Sequence, residues 1–194
     1  MLSPDFEHII SHMHDTASAY LEAVKLVPGA PAPTFLIDGP SGSGKTTLAR
    51  QIELRWNTEE KLQVVHMDDL YPGWDGLGRG SMQALRMLQE RSRGEDTRWQ
   101  RYDWESDSMS EWHSVEARVP LLIEGCGSSP KGAEELSQVR LWLDAPAAIR
   151  KERALSRTEE NFAEHWTQWD EQFAEYCVVH NPQAVATRVV LSSE

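Results

Sequence analysis

The sequence predicts an α/β fold, a three-layer sandwich in which five parallel strands lie between helices. Three observations predict it. Short apolar runs alternate with amphipathic stretches from residue 34 to residue 191. A glycine-rich loop joins the first run to the first stretch. Carboxylates follow the ends of later runs, where the right-handed crossovers of such a sheet open a ligand crevice.

Taken in order, Ser3-Pro4-Asp5 reads as a helix start. Ile9, Ile10, Met13, Ala17, Tyr20, Leu21 and Val24 then recur at helical spacing, which predicts an amphipathic helix over 4–26. Its apolar stripe is expected to pack on the core. Pro28-Gly29-Ala30-Pro31-Ala32-Pro33 is a stiff connector, so residues 1–33 form an N-terminal helix and linker and residues 34–194 the main domain. Strands are expected at 34–38, 62–67, 119–123, 139–143 and 187–191. Helices fit between them at 44–56, 81–93, 130–137, 146–156 and 159–178. Phe162, Trp166, Trp169 and Phe173 share one face of the last helix and read as core. The stretch 94–118, rich in Trp, Asp, Glu and Ser, breaks the alternation and reads as a hairpin or loop beside the site. A substrate-side insertion over about 70–118 and a helical lid over about 146–178 complete the expected architecture.

Bulk composition excludes several classes. With 31 acidic against 19 basic residues the formal charge is -12. Such a surface repels nucleic acid and anionic membranes, so small molecules are the expected partners. No apolar run approaches the ~18 residues of a membrane span, and the N-terminus lacks the basic and apolar regions of a secretory signal. Cys126 and Cys177 have no paired metal spacing and read as reduced thiols in a cytoplasmic protein, monomeric or homodimeric.

The loop Gly39-Pro40-Ser41-Gly42-Ser43-Gly44-Lys45-Thr46 satisfies G-x-x-x-x-G-K-[ST], the phosphate-binding P-loop. Strand, glycine loop and helix follow one another as the mechanism requires. The glycines let backbone N–H groups, with Thr47 at the helix start, curl around a polyphosphate, and the helix N-terminus adds positive potential. Lys45 is suited to neutralising β/γ-phosphates and the Thr46 hydroxyl to Mg²⁺. The expected fold is therefore a P-loop NTPase sandwich with ATP and Mg²⁺ as cofactors.

Three further features narrow the chemistry. Asp68 and Asp69 follow the second strand and face the crevice, where one could take a proton from a substrate hydroxyl and one could hold Mg²⁺ through water. Leu121-Leu122-Ile123-Glu124-Gly125 is an apolar strand ending in an acid, the Walker B pattern, which brings Glu124 to the metal shell. Arg150, Arg153 and Arg157 share a helix face and could clamp phosphates, or pair with Glu152, Glu159 and Glu160 on a solvated face. His66, inside a strand, reads as a core residue.

On these residues the chain resembles the uridine kinase-like branch of the P-loop kinases, related to phosphoribulokinase and the nucleoside monophosphate kinases, over roughly 34–160. Asp68-Asp69-Leu70-Tyr71 is similar to that family's Asp-x-[Phe/Leu]-Tyr, Tyr102-Asp103-Trp104 to its Tyr-Asp-Phe, and Glu124-Gly125 to its Glu-Gly. The resemblance implies that Asp68 is general base and Mg²⁺ neighbour, that the arginines belong to a lid, and that a γ-phosphoryl group passes from ATP to a hydroxyl. The stretch Pro72-Gly73-Trp74-Asp75-Gly76-Leu77-Gly78-Arg79-Gly80 departs from the family's substrate loop, and Asp107 stands where a base-contacting His is expected. The acceptor is therefore not carried over. Candidate acceptor residues are Asp69, Tyr71, Trp74, Asp75, Arg79, Tyr102, Asp103, Trp104, Trp112 and His113. Two rival readings stand beside this one. A kinase acting on a monophosphate needs a second cationic cluster, for which Arg79, Arg86, Arg91 and Arg93 are available. A nucleotide sensor would bind ATP and use helix 4–26 to contact a partner.

Overall fold

The computed structural model describes residues 4–24, 30–156 and 162–191. The chain order is α1 (Pro4–Val24), β1 (Thr34–Asp38), α2 (Lys45–Arg55), β2 (Gln63–His66), α3 (Leu77–Ser92), β3 (Thr97–Asp103), β4 (Ser108–Val115), β5 (Leu121–Glu124), β6 (Val139–Asp144), α4 (Ala147–Leu155), α5 (Phe162–His180) and β7 (Arg188–Leu191). A five-stranded sheet runs β2-β5-β1-β6-β7, and every neighbouring pair in it is parallel. The expected α/β sandwich is the observed one.

β1 is central and buried along its whole length because both of its edges and both of its faces are covered. On one face Phe35 and Ile37 pack with Ile9, Ile10, Met13 and Ala17 of α1 and Leu48 and Ile52 of α2. On the other, Leu36 and Ile123 pack with Met87 and Leu88 of α3 and Trp169 and Phe173 of α5. The amphipathic stripe of α1 is thus part of the main core. The last two residues of the expected helix 4–26 lie outside the described residues.

The insertion is an antiparallel hairpin, β3 with β4, whose register shifts between Gln100 and Tyr102. Two expectations need correction. The helix expected at 130–137 is a single 3-10 turn, Ala133–Glu135. Pro130 supplies no N–H, and Gly132 at φ 95° breaks helical continuity. The helix expected from 81 begins at Leu77. Gly78 and Gly80 weaken the helical signal there, yet Gly80 is needed, since a Cβ at that position would lie 2.6 Å from the Tyr71 ring.

Arg91 ties the architecture together. Its side chain is 1% exposed and donates to the carbonyls of Ala32 at 3.2 Å, Val119 at 3.0 Å and Glu116. It joins α3 to the linker before β1 and the loop before β5. Arg91→Met strands these carbonyls in the interior and is expected to cost about 3 kcal/mol. Urea denaturation measures this, and an unchanged midpoint would refute the structural role. Among the described residues no helix is long and apolar enough to cross a membrane.

Candidate active site

The P-loop leaves β1 at its carboxyl end and enters α2, whose N-cap is Gly44 at φ 100°. Gly39 and Gly42 also hold positive φ, at 145° and 78°. Their tightness has two causes, backbone sign and lack of room. A Cβ on Gly39 would lie 1.9 Å from the Leu143 carbonyl oxygen, and one on Gly42 would lie 2.1 Å from that of Arg150. Gly42→Ala must therefore move the loop or α4, and is expected to weaken ATP binding by about tenfold or more. An ATP titration checks this; wild-type affinity in the variant would show that the loop adapts.

The loop suits a polyphosphate. Ser43 is fully buried, and its hydroxyl has no partner among the described residues. Lys45 is 7% exposed and folds back, donating to the Pro40 carbonyl at 2.9 Å and lying 3.6 Å from Cys126 Sγ. An ammonium so enclosed is held ready for an anion that replaces those partners.

Asp38, the last residue of β1, fixes the loop from beneath. Its side chain is 1% exposed. Oδ1 accepts from Gly39 N at 2.7 Å and Gly127 N at 2.9 Å, while Oδ2 accepts from Ser129 N at 3.0 Å and the Tyr176 hydroxyl at 2.8 Å. Burial pushes its pKa up, and the four donors pull it back. One carboxylate thereby joins the P-loop, the segment after β5 and α5. Sequence reasoning missed it; the signal available was an acid ending an apolar strand directly before Gly39.

A cavity of about 280 Å³ opens at the carboxyl ends of β2 and β5, lined by Thr46, His66, Asp68, Asp69 and Glu124 among others. Glu124 is 3% exposed. Its Oε1 accepts from Thr46 Oγ1 at 3.0 Å and lies 2.7 Å from His66 Nδ1. His66 and Glu124 are register partners on adjacent parallel strands, which sets this pair. The expectation of a core histidine is thus corrected: the side chain of His66 is 44% exposed at the cavity. Its hydrogen bond to Glu124 raises its pKa against the effect of burial. Asp68 is exposed in the cavity. Asp69 is half-buried, and burial pushes its carboxyl up while His66, Arg101 and His113 pull it down. Gly125, at φ 138°, lets the chain after Glu124 pass Met67, whose Cβ would sit 2.4 Å from an added Cβ.

The donors at this cavity are hard oxygens. Among the described residues no three His, Cys, Asp or Glu side chains form a metal cage. Mg²⁺ needs none, because it is ordinarily held by one or two carboxylates, substrate phosphates and waters. Thr46, Glu124 and Asp68 fit that pattern.

Arg150 and Arg153 lie on the P-loop. Arg150 Nη1 donates to Ser41 O and Arg153 Nη1 to Gly42 O, each at 3.4 Å. Arg150 also bonds Ala145 O at 3.0 Å and pairs with Asp144 at 3.3 Å. Arg157 lies outside the described residues. Within the span read as a lid, α5 is rooted in the core through Trp169, Phe173 and Tyr176.

The acceptor candidates divide. Tyr71 is corrected: it is 1% exposed, its hydroxyl donates to Cys126 O at 2.6 Å and its ring meets Trp169 edge-on, so it is wall. Tyr102 is buried and donates to Asp107. Asp103 holds the hairpin turn through Ser106 Oγ at 2.8 Å and Glu105 N at 3.2 Å. Trp74 stacks on His165 at 4.4 Å and meets Trp104 at 4.7 Å, joining the insertion to α5. Trp104 Nε1 donates to Asp68 O at 2.9 Å, which places this aromatic cluster beside the cavity. Asp75 accepts from Gln168 Nε2 at 2.6 Å. His113 stacks on Trp99 and bonds Glu111 at 3.1 Å. Arg79 and Trp112 line a different cavity.

No protein-family model matches the chain, and no curated protein matches it. Solved structures do. The possible uridine kinase from Bacillus stearothermophilus is 20% identical, with 92% of this chain and 98% of that one covered and a TM-score of 0.56. D-glycerate 3-kinase from Cryptococcus neoformans var. grubii is 10% identical, with 94% and 95% covered and a TM-score of 0.59. At these identities the likeness is one of fold, and the chain has the P-loop kinase fold.

Proposed function

We propose that this chain is a phosphotransferase that moves the γ-phosphoryl group of ATP to a hydroxyl of a small molecule. The observation that carries this reading is one cavity where the P-loop threonine meets a Walker B glutamate, a strand-end histidine and two adjacent aspartates. A hydrolase needs only to position water. An exposed carboxylate beside an aromatic cluster suits an organic hydroxyl instead.

In this reading the P-loop N–H groups and Lys45 hold the β- and γ-phosphates, and Ser43 completes the cradle. Thr46, Glu124 and Asp68 would hold Mg²⁺, which neutralises charge on the phosphate oxygens when bound. Asp68 takes the proton of the acceptor hydroxyl as its oxygen attacks phosphorus, and ADP departs. Arg150 and Arg153, already on the loop, stabilise the spreading charge once they leave its carbonyls. The aromatic cluster of Trp74 and Trp104 excludes water and contacts the acceptor.

The monophosphate-acceptor reading loses two of its four arginines to other contacts, and the remaining pair, Arg79 and Arg86, lines a cavity separate from that of Asp68. Arg91 is committed to three carbonyls, and Arg93 pairs with Glu95 at 2.7 Å. The deciding experiment is ADP release from Mg·ATP in the presence of nucleosides, sugars, small hydroxy acids or nucleoside monophosphates. Turnover that depends on a hydroxyl acceptor is expected. Tight ATP binding without any acceptor-dependent turnover would favour a nucleotide sensor.

A further inference from the structure

A second cavity, of about 430 Å³, lies between α3 and the hairpin. It shares no lining residue with the cavity of Asp68 and Glu124. Arg79, Gln83 and Arg86 come to it from one face of α3, at i, i+4 and i+7. Trp99 and Trp112 come from the hairpin. Its volume is that of a small-molecule site.

Two features separate it from an ordinary surface cleft. Trp99 is 6% exposed, and its indole N–H has no hydrogen-bond partner among the described residues. The side-chain amide nitrogen of Gln83 is likewise shielded from solvent and without a partner. A buried donor left unpaired is costly, and such atoms are uncommon in native interiors. Here two of them belong to residues that line one cavity. The cationic part is independent of them. Arg79 makes one long bond, 3.3 Å to Pro72 O. Arg86 spans to the hairpin through Arg98 O at 2.7 Å, with Glu90 3.6 Å away. Two guanidiniums on one helix face stand out in a chain of charge -12. The walls are flat and apolar: Trp112 is 57% exposed, with the Arg98 guanidinium 5.1 Å from its ring centroid.

We infer that this cavity is a second ligand site, for a small organic anion with a planar apolar body and a carboxylate or phosphate group. The anionic group would take Arg79, Arg86 and the amide of Gln83, and the planar body would lie against the exposed ring of Trp112. The charged side chains of the lining, Arg79 and Arg86, are both cations, which disfavours a cationic ligand. The inference does not depend on the phosphoryl-transfer reading, because none of these residues belongs to that cavity.

The test is a titration of the ¹⁵N-labelled full chain followed at its tryptophan indole resonances, the Trp99 signal being assigned by its loss in Trp99→Phe. Phenyl phosphate and benzoate are the probes, with phenol and inorganic phosphate as the neutral and bodiless controls. Saturable movement of the Trp99 signal is expected with either aromatic anion. Gln83→Leu and Arg86→Met, neither of them among the buried residues of α3, should each weaken it about tenfold while the rest of the spectrum stays dispersed. The inference is overturned by absence of saturable movement, by equal affinity for phenol or inorganic phosphate, or by affinity that survives both substitutions.

Discussion

Asp68→Asn is expected to lower acceptor-dependent turnover by about 10³-fold while Mg·ATP still binds, because removing a positioned base typically costs 10²- to 10⁴-fold. The substitution keeps volume and removes the proton acceptor together with its charge, while Thr46 and Glu124 remain to hold Mg²⁺ with the phosphates. Asp68 sits exposed at the cavity, and its backbone carbonyl is held by Trp104 Nε1, so the turn should survive the change. Asp69→Asn is the matched control. Asp69 is half-buried and faces His66, Arg101 and His113, an arrangement suited to holding the turn. Most turnover should remain in that variant. A larger loss at Asp69 than at Asp68 would move the base by one residue, and no loss at either would remove carboxylate base catalysis from the proposal. Single-turnover measurement separates the chemical step from product release.

The parts legible in the sequence are those encoded locally. The P-loop, the acids at strand ends and the five strands each depend on residues within a few positions of one another, and all appear where the pattern puts them. What was not legible depends on partners far along the chain. His66 reads as a core strand residue until β5 sets Glu124 beside it, 58 positions away. Tyr71 follows two acids and reads as a substrate contact, yet Trp169 and the Cys126 carbonyl enclose it. Arg91 and Arg86 look alike in sequence. One caps three carbonyls in the interior, and the other lines a cavity. The helix missed at Leu77 shows the converse: two glycines lower local helix propensity, and tertiary packing against Tyr71 overrides it.

Asp38→Asn is expected to destabilise the fold by about 3 kcal/mol and to weaken ATP binding with it. The reason is directional. Four donors converge on the two carboxylate oxygens. An amide offers one oxygen and one N–H₂ group. If its oxygen keeps Gly39 N and Gly127 N, its nitrogen faces Ser129 N and the Tyr176 hydroxyl. The hydroxyl can rotate and accept, but the backbone N–H cannot, so Ser129 N is left buried against another donor. If the amide is turned over, Gly39 N and Gly127 N both lose their acceptor instead, and the P-loop loses its support. Tyr176→Phe removes one donor without creating a conflict and should cost about 1 kcal/mol. In the Asp38→Asn background the same change removes the one group that could adapt, so the two costs should not add. Chemical denaturation of the two single variants and the double variant, with ATP titrations alongside, measures this cycle. Strict additivity, or a stable Asp38→Asn protein with unchanged ATP affinity, would show that the carboxylate is not what holds the loop.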